Sequence, residues 1–149
     1  MTGSMLLDTN VLVYATDPTV AEKQRRSVET MDRVVQRGVG CLSTQVLVGF
    51  FRVATEKLSK PLSPAEAHRQ VSRFIEAWPV LSVTSLIVLE ATRGVRDFGL
   101  PYWDAQLWAT ARLNQIGLVL SEDFQDRRLI DGVRFLNPFA PSFDLSTLL

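Results

Sequence analysis

Short apolar runs alternate with longer stretches in which apolar residues recur every three or four positions, the pattern of strands interleaved with amphipathic helices. Met5-Leu6-Leu7 reads as a short buried strand that stops at Asp8, followed by a helical turn through Val11, Leu12 and Tyr14. Asp17-Pro18-Thr19 breaks the chain and predicts a capped helix running to about Arg37, with Val28, Met31, Val34 and Val35 at helical spacing. Val39 to Leu42 predicts a second strand, and Ser43 or Thr44 caps a helix through Val46, Leu47, Phe50 and Phe51 to about Leu58. Ser63-Pro64-Ala65-Glu66 is a helix start, with Ser at the cap, Pro at the first position and Glu at the third. That helix reaches about Ala77. Pro79 to Val83 supplies a third strand, and Thr84 caps a helix carrying Ile87, Leu89 and Val95. Gly99-Leu100-Pro101 interrupts before a helix from about Tyr102 to Ile116; Leu118 to Leu120 is a fourth strand, and Val133 to Leu136 a short last one. The pattern predicts an α/β fold in a single domain over residues 1–149. Met1-Thr2-Gly3-Ser4 reads as either a native or a non-native start, and residues 138–149 as a C-terminal tail packing through Phe139 and Phe143.

Composition narrows the class without naming a partner. With 46% hydrophobic and 21% charged residues, the chain is neither disordered nor fibrous. Its apolar runs fall far short of the roughly 20 residues needed to cross a bilayer, and no secretory signal pattern opens it. One cysteine, Cys41, allows no internal disulfide, which together with the rest predicts a cytoplasmic protein that does not engage membranes. Sixteen basic and sixteen acidic residues cancel, so no global field draws nucleic acid. The charge is unevenly spread, however: Glu22 to Arg73 holds ten Lys or Arg against five acids. That half could meet a polyanion or form a solvated helix surface.

Acids sit where strands and helices end. Asp8 follows directly on the first strand, Asp104 lies in the first turn of the helix after Pro101, and Asp123 and Asp126 follow the fourth strand. In an open parallel sheet, ligands bind beyond the carboxyl ends of the strands, where these acids would meet. Carboxylates gathered without a countercharge repel one another, and a hard divalent ion such as Mg²⁺ or Mn²⁺ suits such oxygen ligands. Taken singly, Asp8 and Asp104 are as readily explained as helix caps. Other schemes fare worse. One His and one Cys make no zinc set, and a Ser-His-Asp triad would require His68, on the exposed side of a polar helix. There is no Walker A or GxGxxG motif, and a haloacid-dehalogenase-type phosphatase would want a second Asp where Asn10 stands.

Five stretches then make the sequence recognisable: Leu7-Asp8-Thr9-Asn10-Val11-Leu12-Val13-Tyr14-Ala15, Ser43-Thr44-Gln45-Val46-Leu47, Tyr102-Trp103-Asp104-Ala105, Leu120-Ser121-Glu122-Asp123-Phe124-Gln125-Asp126 and Asn137-Pro138-Phe139. In this order, over nearly the whole chain, they resemble the PIN-domain ribonucleases, most closely the VapC-like toxins of type II toxin–antitoxin pairs. The resemblance implies a three-layer α/β/α sandwich around a central parallel sheet, with an acid cluster binding Mg²⁺ or Mn²⁺. Residue by residue it makes Asp8, Asp104 and Asp123 the catalytic and metal-binding acids, with Asp126 as an auxiliary and Thr9 and Asn10 orienting ligands or phosphate. It further implies a homodimer and a cognate antitoxin lying across the site.

One position departs from the family pattern. The second family acid is a Glu two residues past Leu47, where this chain has Gly49. Glycine in mid-helix costs about 1 kcal/mol against alanine. A lost or removed carboxylate explains it better than helix packing, and Glu56 lies too far along the helix to substitute. The first reading is therefore a metal-dependent endoribonuclease toxin cleaving RNA, impaired at Gly49, with a basic surface drawn from Arg25, Arg26, Arg52 or Lys57. A non-catalytic module binding antitoxin or nucleic acid is the second, and a phosphatase or other metal hydrolase the third. Val46, Val53, Trp78 and Trp108 are the candidates for a dimer or antitoxin groove.

Overall fold

A computed structural model describes residues 3–148; Met1 and Thr2, half of the questioned start, and Leu149 of the tail lie outside the described residues. Strand β1 (Met5–Leu7) leads into helices α1 (Thr9–Thr16) and α2 (Ala21–Arg37), then β2 (Gly40–Ser43). Helices α3 (Thr44–Glu56) and α4 (Pro64–Ala77) precede β3 (Val80–Leu81), and α5 (Ser85–Phe98) and α6 (Tyr102–Leu113) precede β4 (Leu118–Leu120). A hairpin of β5 (Leu129–Ile130) and β6 (Val133–Leu136) follows, then a single 3-10 turn at Leu145–Thr147.

The strands form one sheet in the order β3-β2-β1-β4-β6-β5, parallel except for β5 against β6. All three residues of β1 are buried although their side chains alternate between faces, so helices must cover both sides. The result is the three-layer α/β/α sandwich. Order along the sheet reverses between β1 and β4, which makes the crevice beyond their carboxyl ends the topological switch point. The outermost strands, β3 and β5, have two residues each.

Local signals set most helix starts. Ser43 caps α3 by accepting from the Val46 amide, Thr84 caps α5 through the Ile87 amide, and Ser63 with Glu66 completes a reciprocal capping box on α4. Three expectations need correction. Helix α2 starts at Ala21 without a side-chain cap; Asp17 instead accepts from the amide and hydroxyl of Thr19 at 3.0 and 2.6 Å, closing a turn. The third strand shrinks to two residues. Last, the β5–β6 hairpin was unforeseen: Asp131 (φ 48°) and Gly132 (φ 85°) form its two-residue connection, with the positive angles that an Asp-Gly pair adopts readily.

The proposed groove residues are also corrected. Val46 and Trp108 are wholly buried, Trp78 nearly so, and Val53 is partly buried against the core. The exposed large apolar side chains are others, among them Val48, Leu86, Leu89 and Trp103. In the tail, Phe139 meets the Tyr14 ring edge-on at 5.1 Å and Phe143 packs partly on the core, as expected. Among the described residues, no helix is long and apolar enough to cross a membrane.

Candidate active site

The register of β1 on β4 builds the site. Leu7 stands opposite Leu120, so the next residues, Asp8 and Ser121, come side by side at the crevice. The Asp8 amide continues the ladder by donating to the Leu120 carbonyl at 3.0 Å. Ser121 Oγ donates to Asp8 Oδ2 at 2.6 Å and itself accepts from the Asp123 amide at 3.1 Å. Asn10 fastens the same loop, donating from Nδ2 to Asp8 and to Ser121 while its Oδ1 accepts from the Glu122 amide. Asp8 also caps α1, accepting from the Thr9 amide at 2.7 Å, so its capping and site roles coexist.

A cleft of about 530 Å³ opens here, and Asp8, Asp104 and Asp123 all line it. Asp8 is buried, Asp104 half-buried and Asp123 exposed. Burial pushes the Asp8 carboxyl up to about 6; the hydrogen bonds from Ser121 and Thr9 pull the other way, and the charges of Asp123 and Asp104 add to the rise. Asp104 is raised too, first by burial and then by the charge of Asp123. No Lys or Arg pairs with any of these three acids among the described residues. Oxygen-only donors with no countercharge fit a hard divalent ion. As they stand, however, no three His, Cys, Asp or Glu side chains among the described residues are close enough together to hold one, so Asp104 and Asp123 would have to draw in.

The neighbouring acids are engaged elsewhere. Asp126 accepts from the Asn137 amide at 2.8 Å and lies outside the cleft lining, so the structure does not place it beside the other three. Glu122 points away, bound by Lys23 at 2.8 Å and by the Tyr14 hydroxyl at 2.7 Å. Of the basic residues, Arg25 pairs with Glu22 and Glu29, and Arg26 donates to the carbonyls of Pro138 and Ala140, whereas Arg52 and Lys57 line the cleft.

Gly49 also lines the cleft, where a carboxylate would complete the acid set. A Cβ built on it would lie 2.6 Å from Thr9 Oγ1 and 3.1 Å from Thr9 Cγ2. Thr9 thus occupies the space beside Gly49, and its hydroxyl donates to the Val46 carbonyl at 3.3 Å. Close packing of α1 on α3 is therefore a sufficient reason for glycine, the reason set second on the sequence alone.

Ser121 was not recognised in the sequence as a site residue, because only strand register brings it to Asp8. Replacing Ser121 with Ala is expected to raise the Asp8 pKa further above about 6. It should also cost about 2 kcal/mol near neutral pH, since a charge-assisted bond is lost and the Asp123 amide is orphaned. Carboxyl ¹³C titration and urea unfolding measure both effects, and an unmoved Asp8 pKa would show the bond to be idle.

A mainly parallel sheet with acids at its switch point defines an α/β domain with a candidate site in that crevice, and the family profile of the PIN domain matches residues 5–130. The chain belongs to the PIN domain family. Its fold is shared with a toxin–antitoxin complex from Klebsiella pneumoniae (TM-score 0.66, 15% identity, covering 91% of this chain and 98% of that one). It is also similar to the DNA-bound VapBC of Salmonella typhimurium (0.65, 18%, 91% and 98%). A third similar structure is VapC20 of Mycobacterium tuberculosis, described as a sarcin-ricin loop cleaving toxin (0.58, 14%, 78% and 87%). No curated protein sequence matches significantly.

Proposed function

We propose that this PIN domain is a metal-dependent endoribonuclease, the toxin of a toxin–antitoxin pair, acting in the cytoplasm on RNA as a single domain over residues 1–149. Its partners on this reading are a cognate antitoxin and a second copy in a homodimer. The observation that carries it is the buried Asp8 at the switch point, flanked in one cleft by Asp104 and Asp123, with none of the three in an ion pair with a Lys or Arg among the described residues. The structural similarity to the Klebsiella pneumoniae toxin–antitoxin complex, to VapBC and to the toxin VapC20 supports the biological setting.

Asp8, Asp104 and Asp123 are the residues that would hold Mg²⁺ or Mn²⁺. The chemistry a bound ion supplies there is a lowered pKa for water and relief of charge on the phosphodiester. Ser121 and Asn10 hold Asp8 in one orientation, and the hydrogen bond that the Asp123 backbone N–H donates to Ser121 Oγ keeps Asp123 on the same rim. Arg52 and Lys57 supply the positive charge on the cleft that an RNA backbone needs.

Gly49 leaves the acid set one short, so cleavage by the chain as it stands is expected to be weak. Gly49 also supports the second reading, a PIN-like module that binds antitoxin or nucleic acid without cleaving. The test compares the chain with Gly49→Glu, with Gly49→Glu plus Thr9→Ala, and with Asp8→Asn, on an RNA pool with Mg²⁺ or Mn²⁺. Because a side chain at 49 meets Thr9, Gly49→Glu alone should gain little, while the double variant, which removes both obstructing atoms, should gain at least about tenfold, the ~1.4 kcal/mol of one good ligand contact. A folded double variant that stays silent with both ions, while Thr9→Ala alone leaves the parent's weak cleavage unchanged, supports the binding module. Ordinary turnover by the unaltered chain would dismiss the idea of impairment.

A further inference from the structure

We infer that Trp103 is a stacking platform for an unpaired RNA base, with Arg52 and Lys57 meeting the adjoining phosphates. This rests on RNA as the substrate of the proposed function and adds how that RNA is chosen. Trp78 and Trp108 are buried, but Trp103 is 67% exposed, beside Asp104 on the rim of the acid cleft. Its position is fixed rather than frayed. Gln45 Nε2 donates to the Trp103 carbonyl at 2.9 Å, Gln106 Nε2 holds Gln45 Oε1 at 3.1 Å, and the Tyr102 hydroxyl holds Gln106 Oε1 at 3.0 Å. The Tyr102 ring stands edge-on to the indole at 5.3 Å. A largely exposed indole is thereby offered to solvent from the first turn of α6.

What surrounds it selects the occupant. Arg52 and Lys57 line the same cleft, both exposed, and the contact of Arg52 with Glu56 is 4.0 Å long, at the limit of an ion pair. An aromatic face with under-used cations beside it is the arrangement that binds single strands, since every base has a π-face and every base is flanked by phosphates. In a duplex that face is covered by neighbouring bases. An apolar protein partner would be served equally by any bulky apolar residue and would leave the two cations without a role.

Burial of the other two tryptophans gives a clean readout, because quenching of intrinsic fluorescence by added RNA reports Trp103. In EDTA, which halts cleavage, a short oligouridylate should quench the full chain saturably, and the same strand paired in a duplex should not. By anisotropy of a labelled oligouridylate, Trp103→Phe should bind within about twofold of the parent, and Trp103→Leu about tenfold more weakly. Arg52→Gln with Lys57→Gln should weaken binding and flatten its salt dependence. Equal binding by Trp103→Leu and the parent overturns the inference, as does absence of saturable binding. So does a Trp103→Leu variant that changes self-association in ultracentrifugation but not RNA affinity, which would assign the surface to a protein contact. The ribonuclease reading fails separately. Trp103-dependent binding with no Asp8-dependent cleavage in the Gly49→Glu, Thr9→Ala variant leaves the platform standing, and cleavage indifferent to Trp103 removes the platform alone.

Discussion

Asp8→Asn is expected to abolish RNA cleavage and, without metal, to make the protein more stable at pH 7.5. The folded Asp8 carboxyl titrates at about 6, against 3.8 ordinarily, because burial and the charges of Asp123 and Asp104 outweigh the hydrogen bonds from Ser121 and Thr9. A raised acid pKa means that the native state binds more protons than the unfolded chain between about pH 4 and 6, so stability falls as pH rises through that window. Above it the ionised Asp8 costs about 3 kcal/mol, at roughly 1.4 kcal/mol per pH unit of displacement. Asparagine removes the charge and keeps an oxygen for the Thr9 amide. Urea unfolding should therefore show the variant ahead by up to about 3 kcal/mol at pH 7.5 and level with the parent below pH 4, where both side chains are neutral. Millimolar Mg²⁺ should narrow the gap at pH 7.5 by stabilising the parent alone, since an ion held by the native state shifts unfolding by mass action. A variant less stable than the parent at pH 7.5 would mean that Asp8 is held as a favourable structural anion instead.

Trp108→Ala should be close to unfolding. The indole is wholly buried, its Nε1 donates to the Ile130 carbonyl at 3.1 Å, and Phe98 meets it edge-on at 5.6 Å. It also packs so tightly under α5 that a Cβ at Gly94 would lie 2.9 Å from its ring. Truncation leaves a large cavity between α5 and α6 and strips the hairpin strand β5 of its tie to α6, a loss of about 4 kcal/mol. Against a total of roughly 5–15 kcal/mol for a domain, that leaves little. Truncating the exposed Trp103 should change stability by no more than about 0.5 kcal/mol. The two unfolding midpoints compare directly, and near-equal values would contradict the burial difference.

The contrast between these tryptophans marks what could be read before the fold was known. Caps at Ser43, Ser63 and Thr84 act over three or four residues, so their helices started where expected. Helix α6 is buried from Ala105 through Ala111, on all sides, and a helix without a polar face offers no periodicity to separate inside from outside. Trp108 therefore carried no sign of lying inside, and it is buried rather than part of a surface groove. Val133 to Leu136 is a strand as expected and Asp131-Gly132 carried a turn signal, but the two-residue strand before that turn was too short to announce a hairpin. In the site, acids at strand ends singled out Asp8, Asp104 and Asp123 as candidates. The grip of Ser121 on Asp8 and the bond from Asn10 to Ser121 depend on pairing across more than a hundred residues, to which no local pattern speaks. Gly49 is the reverse case: a real departure from the family pattern whose packing reason, Thr9, becomes visible only when α1 and α3 are seen together.

The two-residue rims of the sheet have a bearing on self-association. An extended strand left open at an edge is a template on which another chain can add backbone hydrogen bonds, the first step towards fibrils and domain-swapped aggregates. β3 and β5 present almost no such template, and none of the six strands among the described residues is longer than four residues. Copies of this chain have little means of joining sheet to sheet. Assembly is left to side chains and loops, where recognition is selective, and a concentrated solution of the folded protein should show no thioflavin-positive growth.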